Sequence, residues 1–355
     1  MTFLTKLPGF YRMTFFALFA LCMSWSTMIP AASPGPSLTR GGYEYYTIGD
    51  PTVATPGEVE PGLMLVGGGE WPQDAFHWMI ERAGHGHIVI LSASGTTEEQ
   101  DKFYKDLGGI ASAQTFVFND RKAASDPKVL AAIDKADGIF FAGGDQAHYV
   151  RYWKGTPLNE AIDRHVREGK PIGGTSAGLA ILGAYVYGAM DGGSMTSDVA
   201  MRDPLNKGMT LESDFLHLPY LQHVITDSHF GKRDRLGRLI AFVANLRKQG
   251  VADVIGLGID EGAALCIDGK GIGRVFPGKH GYAWLVQPTQ PAGRVEPGRP
   301  LDYPGVRITG VGPDSRLHLQ GFSVDAPAFH KIADVRNGQL VLRDEQGAQQ
   351  ASGAL

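Results

Sequence analysis

The 355-residue sequence predicts an α/β protein whose core is a mostly parallel β-sheet. Between residues 63 and 174, short apolar runs alternate with amphipathic segments, which is the pattern of strands joined by helical crossovers. Several of the apolar runs end in glycine-rich turns. Ligands of open parallel sheets bind beyond the carboxyl ends of the strands, so these turns predict one functional site at that edge.

The elements can be predicted in chain order from residue 63 onward. Strands are predicted at 63–66, 87–91, 115–118, 138–141, 171–174, 223–227 and 255–259. Helices are predicted at 74–83, 97–107, 127–136, 157–168 and 177–182. Parallel strands connected in this way take right-handed crossovers. Beyond residue 286, short β-like runs at 306–308, 317–319 and 339–342 predict a small β-rich C-terminal extension packed on the core.

The N-terminal region differs from the core. Residues 1–32 are interpreted as a secretory signal peptide, because Lys6 and Arg12 precede an apolar run shorter than the ~20 residues of a membrane span. Residues 33–61 contain five prolines and little periodicity, which predicts an extended arm. The main domain then covers 62–286 and the extension 287–355. We therefore expect an exported protein without membrane attachment once the signal is removed.

Composition excludes several classes of partner. The formal net charge is −4, with both signs interspersed, so no nucleic acid partner is expected. Cys266 remains as a lone core thiol after Cys22 leaves with the signal peptide. His85 and His87 have no carboxylate or cysteine partner at ligand spacing, so the sequence predicts neither a metal ion nor another cofactor. It is compatible with a homodimer.

Ser176 is the candidate nucleophile. It lies between Gly174 and Gly178 in a G-x-S-x-G pentapeptide that follows a predicted strand and precedes an apolar helix. This strand–turn–helix context is the one that exposes a serine at a sharp elbow. The glycines are needed because a side chain at either position would collide with a neighbouring element.

Backbone amides near the serine are candidates for an oxyanion hole. The amide of Ala177 begins the helix after the elbow and can donate to a developing negative charge. The turn after strand 138–141 brings either Gly143 or Gly144 close to Ser176 as the second donor. Gln146 follows that turn and is positioned to bind a carboxylate or an amide of a substrate.

A serine nucleophile needs a base, and His229 is the best candidate among the eleven histidines. It follows strand 223–227 and therefore lies at a strand's carboxyl end. Arg233, Arg235 and Arg238 come directly after it and enter a helix. A basic surface helix would explain such a cluster, but its place beside the histidine favours a role in binding.

The third group is expected to be a carboxylate that orients the histidine and stabilises its cation. Glu261 follows strand 255–259 and so reaches the same edge of the sheet. Asp191 and Asp198 are rivals in the loop after the elbow helix. Position along the chain does not decide among the three.

Four motifs in this order resemble the cyanophycinase family of serine peptidases. They are 140–146 (FFAGGDQ), 173–178 (GGTSAG), His229-Phe230 followed by Arg233, Arg235, Leu236, Gly237 and Arg238, and 258–261 (GIDE). The resemblance covers residues 60–285. It implies a flavodoxin-like, doubly wound and mostly parallel sheet with a nucleophile elbow, of the class I glutamine-amidotransferase-like type.

The resemblance also implies roles for individual residues. Ser176 is then the nucleophile, His229 the base and Glu261 its partner. The implied substrate-binding residues are Gln146, Asp227, Arg233, Arg235 and Arg238. The implied substrate is the β-linked aspartyl-arginine unit of cyanophycin (multi-L-arginyl-poly-L-aspartate), and guanidinium groups do suit carboxylates. Two departures are Ser228, where the cyanobacterial enzymes carry glutamine, and the segment 191–221, which shows little likeness.

Three alternatives remain at this point. The same kind of enzyme could act as an isoaspartyl or aspartyl dipeptidase on other β-aspartyl peptides. A protein of another class, a non-catalytic exported binder, could use the arginines to hold an acidic peptide. An α/β-hydrolase is disfavoured, because no HGGG-type segment is present and the acid would follow the histidine in the chain.

Overall fold

The computed structural model describes residues 37–38, 41–94 and 97–345, which form two β-sheets with helices packed against them. These residues belong to one compact unit, Pro34–Leu355. The predicted signal peptide, 1–32, lies outside the described residues. Within those ranges, no helix has the length and apolar character required to cross a bilayer.

The strands are β1 (Ser37–Leu38), β2 (Tyr43–Gly49), β3 (Gly62–Val66), β4 (His87–Ser92), β5 (Ser112–Phe118), β6 (Gly138–Phe141), β7 (Ile172–Thr175), β8 (Tyr185–Tyr187), β9 (Leu211–Ser213), β10 (Val224–Asp227), β11 (Ile255–Ile259), β12 (Ala263–Asp268), β13 (Ile272–Pro277), β14 (Ala283–Pro288), β15 (Tyr303–Val311), β16 (Arg316–His318), β17 (Ser323–Asp325), β18 (Phe329–Arg336) and β19 (Gln339–Asp344). The helices are α1 (Gln73–Arg82), α2 (Glu98–Asp101), α3 (Pro127–Lys135), α4 (Gln146–Trp153), α5 (Pro157–Arg167), α6 (Ala177–Ala180), α7 (Ser197–Arg202) and α8 (Leu236–Lys248). A π-helical segment, Lys102–Leu107, continues α2, and a 3-10 segment, Arg121–Ser125, precedes α3.

The first sheet contains the predicted parallel core. Its strand order is β1-β2-β5-β4-β6-β7-β3-β12-β13-β16-β17, and the five strands from β5 to β3 run parallel. Alternate residues of β4 enter different cores, because successive side chains of a strand point to opposite faces. Ile88 and Ile90 pack in the core that contains α1, whereas Val89 and Leu91 pack in the core that contains α3 and α5. The sheet is therefore covered on both faces, which confirms the α/β class.

Local sequence explains where the crossover helices begin. The Asp126 carboxylate accepts a hydrogen bond from the Lys128 amide and caps α3, whose first residue is Pro127. Thr156 caps α5 in the same way, and Pro157 follows it. An oxygen-bearing cap followed by proline satisfies a free amide and preorganises the first turn of a helix.

The second sheet differs from the prediction. Its order is β19-β18-β15-β14-β11-β10-β8-β9, and only β8, β10 and β11 pair in parallel. From the sequence, the strands before His229 and Glu261 were predicted to belong to the same sheet as the strand before Ser176. The structure places them in the second sheet, where α8 covers them with Leu239, Ile240 and Phe242.

The predicted N-terminal arm is in part a strand of the core. β2 pairs antiparallel with β5 from Tyr43, opposite Phe118, to Gly49, opposite Ser112. The segment 43–49 has no proline and is rich in aromatic and β-branched residues, which favour strands. The five prolines all lie outside it, and the prediction of an arm without regular structure is wrong for residues 43–49 and for β1, which pairs with β2.

The C-terminal β-rich part is present, but its strands complete the sheets. The predicted boundary at 286 falls inside β14, which pairs with β11, and β15, β18 and β19 continue the same sheet. β16 and β17 extend the first sheet beyond β13. Short strands were correctly predicted there, but neither their direction nor their partners could be read from local pattern.

Candidate active site

Ser176 lies on a sharp turn between β7 and α6. Its backbone has φ of 52°, a left-handed conformation that is unusual outside glycine. A Cβ added at Gly174 would lie 2.6 Å from the carbonyl carbon of Gly178, and one added at Gly178 would lie 2.3 Å from the carbonyl oxygen of Phe141. Both glycines are therefore required by close packing, and the pentapeptide forms the predicted elbow.

Ser176, His229 and Glu261 form a continuous chain of hydrogen bonds. Ser176 Oγ lies 2.7 Å from His229 Nε2, and His229 Nδ1 lies 2.5 Å from Glu261 Oε1. This arrangement corresponds to a neutral imidazole that donates its Nδ1 proton to the carboxylate and accepts at Nε2. Asp191 and Asp198, the rival carboxylates, are exposed residues of the loop and of α7. The structure brings Glu261 to the histidine instead.

His229 is held by the chain around it. Its φ is 48°, and its amide donates to the carbonyl of Gly67 at 2.7 Å. A Cβ on Gly68 would lie 2.3 Å from His229 Cε1, so the imidazole occupies space that only glycine leaves free. The sequence showed this glycine run at the end of β3 but gave no sign of its contact with His229. Gly67 and Gly68 are thus site residues that sequence reasoning missed.

Asp260 is a third missed residue. Its carboxylate accepts hydrogen bonds from the amides of Gly231, at 2.8 Å, and Tyr282, at 3.0 Å. It thereby ties the loop that carries Glu261 to the loop after His229. The only sequence signal was its place directly before Glu261.

The surroundings of His229 favour its neutral form. Burial lowers its pKa from the ordinary value of 6.5, while the hydrogen bond that His229 donates to Glu261 raises it and the positive charge of Arg233 lowers it. Together these influences lower the His229 pKa. A neutral imidazole at neutral pH is the form that can accept a proton from Ser176.

The turn after β6 lies directly beside the serine. A Cβ added at Gly143 would lie 3.5 Å from Ser176 Cβ, and Gly144 has φ of 131°. A side chain at Gly144 would collide with Ser94 Oγ, which also accepts a hydrogen bond from the Asp145 amide at 3.1 Å. The turn therefore depends on Gly144, and at Gly143 it approaches the serine as predicted.

Two of the predicted substrate-binding residues face open space. The Arg233 side chain is 51% exposed, and its Nε lies 4.0 Å from Glu261 Oε1. Gln146 is half-buried at the start of α4, and its Nε2 lies 3.4 Å from the carbonyl of Tyr187. Both could reach a molecule bound next to the hydrogen-bonded chain.

Three residues that were predicted to bind substrate instead form a buried ion-pair cluster: Asp227, Arg235 and Arg238. Arg238 is 2% exposed and donates from Nε and Nη2 to the two oxygens of Asp227, at 2.7 and 2.5 Å. Arg235 Nη1 lies 3.3 Å from the same carboxylate, and burial lowers the Arg235 pKa to about 10. Ser194 Oγ, which the sequence did not indicate, accepts from both guanidinium groups. The two guanidinium groups donate to atoms of the protein itself. The cluster therefore supports the active site by holding its backbone in place, and not by binding substrate.

The cluster supports the backbone before His229. Arg235 Nη1 donates to the carbonyl of Ser228 at 2.8 Å, and the Ser228 amide donates to Asp227 Oδ1 at 2.9 Å. The residues that were expected to hold substrate thus fix the chain that carries the imidazole.

The two histidines considered as a metal pair have other partners. His85 Nδ1 bonds to the carbonyl of Gly109, and His87 bonds to Ser112 Oγ and to the carbonyl of Val53. Among the described residues, no three His, Cys, Asp or Glu side chains are grouped so that they could hold a metal ion.

An open cavity of 620 Å³ borders Glu261. Its walls carry both signs of charge, from Glu70 and Asp260 and from Lys232 and Lys279. Glu261, at the carboxylate end of the hydrogen-bonded chain, thus lies on the wall of a cleft large enough to admit part of a peptide.

Known proteins share this sequence pattern. Residues 63–275 match the model of peptidase family S51. A cyanophycinase of Trichormus variabilis is 27% identical over 294 residues, which cover 79% of this chain and 92% of that protein. A cyanophycinase of Synechococcus elongatus is 32% identical over 204 residues, which cover 56% of this chain and 58% of that protein. The crystal structure of a peptidase from an acI-B1 Actinobacterium aligns with 67% of this chain and 97% of its own, at 21% identity and a TM-score of 0.43.

Proposed function

The chain belongs to peptidase family S51 and is a serine peptidase, and from this premise we propose that it hydrolyses cyanophycin from a chain end and releases β-Asp-Arg dipeptides. The observation that carries the proposal is the hydrogen-bonded chain of Ser176, His229 and Glu261 at the margin of a cleft. Relatives named cyanophycinase support the choice of substrate.

In the first step Ser176 Oγ attacks the scissile carbonyl carbon while His229 Nε2 takes the hydroxyl proton. Glu261 accepts the Nδ1 proton in a hydrogen bond and stabilises the imidazolium that forms. The carbonyl oxygen becomes an oxyanion, which the amide of Ala177 and an amide of the turn at Gly143 and Gly144 stabilise. Collapse of this intermediate breaks the C–N bond, and His229 gives its proton to the leaving amine.

The second step hydrolyses the acyl-enzyme. A water molecule takes the place of the amine, His229 removes one of its protons, and the resulting hydroxide attacks the ester carbon. The ester bond to Ser176 Oγ breaks, and the serine recovers its proton from His229. The products are a carboxylic acid and the free enzyme, so no other reactant is consumed.

Charge complementarity supports an aspartyl-arginine substrate. Arg233 is exposed next to Glu261, and its fork can pair with a substrate carboxylate. The acidic groups of the cleft, Glu70 and Asp260, suit the guanidinium groups that such a polymer carries. Gln146 can bind an amide or a carboxylate of the substrate.

We further propose that the protein acts after export. The proposal rests on residues 1–32, with Lys6 and Arg12 ahead of a short apolar run. Sequencing the N-terminus of the protein recovered outside the cytoplasm tests it. A protein that remains in the cytoplasm with Met1 in place would refute export without touching the proposed chemistry.

The test of the activity is incubation of the protein starting at residue 33 with cyanophycin and, separately, with short β-aspartyl peptides. We expect soluble β-Asp-Arg from the polymer, identified by mass, and no product from the Ser176→Ala variant. Acid quenching during turnover should trap an adduct on the peptide that contains Ser176. Cleavage of the short peptides alone would assign the protein as a β-aspartyl dipeptidase, and cleavage of neither would refute the proposal.

A further inference from the structure

Tyr149 is a fully buried side chain that the proposed mechanism does not use. It lies in the first turn of α4, and its ring packs against Trp153 with the two ring centroids 4.4 Å apart. A buried phenolic hydroxyl needs a hydrogen-bond partner. The Tyr149 hydroxyl finds its partners in the turn that precedes its own helix, which is formed by residues 142–145.

The hydroxyl contacts two successive carbonyl groups of that turn. It donates to the carbonyl of Ala142 at 2.7 Å and lies 3.3 Å from the carbonyl of Gly143. In a planar trans peptide the C=O and N–H bonds point in opposite directions. A contact that fixes these two carbonyls therefore also fixes the amides of Gly143 and Gly144, which are the candidate oxyanion donors of the turn.

The segment needs such support because it contains two consecutive glycines beside the nucleophile. Glycine has more backbone freedom than any other residue, and Gly144 has φ of 131°. A Cβ added at Gly143 would lie 3.5 Å from Ser176 Cβ. Tyr149 thus restrains the part of the turn that is both the most flexible and the closest to the reacting oxygen.

The ends of the turn have anchors of their own. The Ala142 amide donates to the carbonyl of Leu91 at 3.0 Å. The Asp145 amide donates to Ser94 Oγ at 3.1 Å. The Tyr149 hydroxyl acts between these two anchors, on the peptides that carry the candidate donors.

We propose that Tyr149 is a positioning residue for the oxyanion hole: its hydroxyl holds the carbonyls of Ala142 and Gly143 and so aims an amide of this turn at the substrate oxygen. The inference rests on the proposed acyl transfer at Ser176. Small errors in the placement of such a group are expensive, since a misplacement of about 1 Å costs roughly a hundredfold in rate.

The chemistry of the hydroxyl fits this role. Burial raises the pKa of Tyr149, so the group keeps its proton and remains a donor. Hydrogen bonds in a chain polarise one another, so donation to a peptide carbonyl also strengthens the N–H donor of the same peptide. This gain is largest when negative charge develops on the substrate oxygen in the transition state. Removal of the hydroxyl should therefore change kcat more than KM.

The first test is Tyr149→Phe, which removes one oxygen atom and keeps the ring against Trp153. Its kcat and KM on cyanophycin are measured together with Tm. We expect kcat to fall about tenfold to a hundredfold, less than the ~10²–10³-fold loss typical of a deleted oxyanion donor, with KM within about threefold of the parent. A role in stability alone would lower Tm and leave kcat of the folded variant unchanged.

Tyr220→Phe is the matched control. The Tyr220 hydroxyl also donates to a backbone carbonyl, that of Gly269, at 2.8 Å. Gly269 follows the end of β12 that pairs with Gly62 at the start of β3. The Ser176 amide bonds to Val66, at the opposite end of β3. This variant should lose a comparable hydrogen bond and keep kcat within about threefold of the parent.

A third protein carries p-aminophenylalanine at position 149. It keeps a donor on the ring, but an aniline N–H is a weaker hydrogen-bond donor than a phenolic O–H. We expect its kcat to lie between those of the parent and Tyr149→Phe. If Tyr149→Phe does not fold, a reduced kcat in this protein supports the inference, and a kcat equal to that of the parent overturns it.

A second readout separates this inference from the choice of substrate. The rate at which a phosphonylating serine reagent labels Ser176 depends on the same oxyanion donors. It should fall in Tyr149→Phe and be retained in Tyr220→Phe, even if the parent cleaves no cyanophycin. Unchanged kcat and labelling in folded Tyr149→Phe would overturn the inference, as would an equal loss of both in Tyr220→Phe.

Discussion

At the scale of single residues, the site depends on a strained serine, a buried imidazole and glycines that leave room for both. Ser176 and His229 both have positive φ, and Gly68 is packed against the imidazole ring. Strain of this kind persists only where the surrounding structure holds it. The elbow serine should therefore contribute its hydroxyl to chemistry and little to stability.

We expect Ser176→Ala to lower hydrolysis by ~10⁴-fold or more while Tm stays close to that of the parent. The elbow depends on Gly174 and Gly178, so the fold does not require the hydroxyl. Turnover of cyanophycin and a thermal melt measure the two effects. Activity within tenfold of the parent would rule out the serine mechanism.

The pH dependence of kcat/KM should report His229. Its pKa is lowered, so the acid limb of the profile should have its midpoint below 6.5. Glu261→Gln removes an influence that raises this pKa and should move the limb to lower pH, with a large loss of kcat. Arg233→Met removes a cation that lowers the pKa and should move the limb to higher pH. Shifts in the same direction for both variants would contradict this account.

At the scale of elements, the ion pairs between β10 and α8 fix the strand end that carries His229. Removing one partner of a buried ion pair leaves an uncompensated charge, and such changes typically cost ~3–5 kcal/mol. Arg238 and Asp227 are both nearly inaccessible, whereas Arg233 on the loop between these elements is exposed. We therefore expect substitutions of Asp227 and Arg238 to lower stability, and substitutions of Arg233 to weaken substrate binding.

Substitution by lysine tests that separation, because it keeps the charge and removes the bidentate fork. We expect Arg238→Lys to lower Tm by several degrees, since a charge-assisted hydrogen bond is worth ~1.5–3 kcal/mol. Arg233→Lys should leave Tm unchanged and reduce kcat/KM about tenfold to a hundredfold. A lower kcat/KM with an unchanged Tm in Arg238→Lys would instead indicate that Arg238 binds substrate directly.

His217 attaches the segment after β9 to α5. Its Nδ1 lies 2.8 Å from Asp163 and its Nε2 lies 3.1 Å from Asp214. The hydrogen bond that His217 donates to Asp163 raises the His217 pKa above 6.5, with burial opposing and Asp214 adding to the effect. The stabilisation should thus be complete below pH 6.5 and be lost as the pH rises through the higher folded value.

His217→Asn should remove this dependence. The Tm difference between parent and variant is expected to be largest below pH 6.5 and to shrink at higher pH. Thermal melts over a pH series measure it, and Glu168→Gln, an exposed change on the C-cap of α5, serves as the control. A Tm difference that grows with pH would contradict a raised His217 pKa in the folded protein.

At the scale of the whole molecule, the site lies where two sheets meet. Ser176 comes from the first sheet, whereas His229 and Glu261 follow β10 and β11 of the second. The turn at Asp260 and Glu261 connects β11 to β12, which pairs with β3 in the first sheet. Active geometry therefore requires both sheets to be complete, including the C-terminal strands.

A chain that ends at Pro288 should fail to fold. It would lack β15, β18 and β19 and would expose the buried Leu285 and Val286 along the edge of β14. Exposed apolar strand edges lead to aggregation. A control chain that ends at residue 345 keeps every described strand and should retain solubility and activity. A soluble, cooperative melt of the shorter chain would show that the C-terminal strands are dispensable.

Much of the fold and site followed from local pattern. Alternating apolar strands and helices predicted the parallel core, and β6 and β11 have the predicted bounds. The G-x-S-x-G turn, the strand-end histidine and the strand-end Glu261 indicated the three side chains that the structure joins by hydrogen bonds. Local pattern could not show that Arg235 and Arg238 turn inward, because both guanidinium groups also bond to Ser194, which is 41 and 44 residues earlier in the chain.

By itself, then, the sequence determined which side chains stand at strand ends, since side-chain periodicity and glycine turns are properties of neighbouring residues. Only the tertiary structure decided which sheet each strand joins, which carboxylate reaches His229, and which arginines remain exposed. Those outcomes depend on pairing between segments far apart in the chain, such as β11 with β14 and β3 with β12. The free energy of that pairing comes from apolar surface buried between segments, which no single stretch of sequence contains.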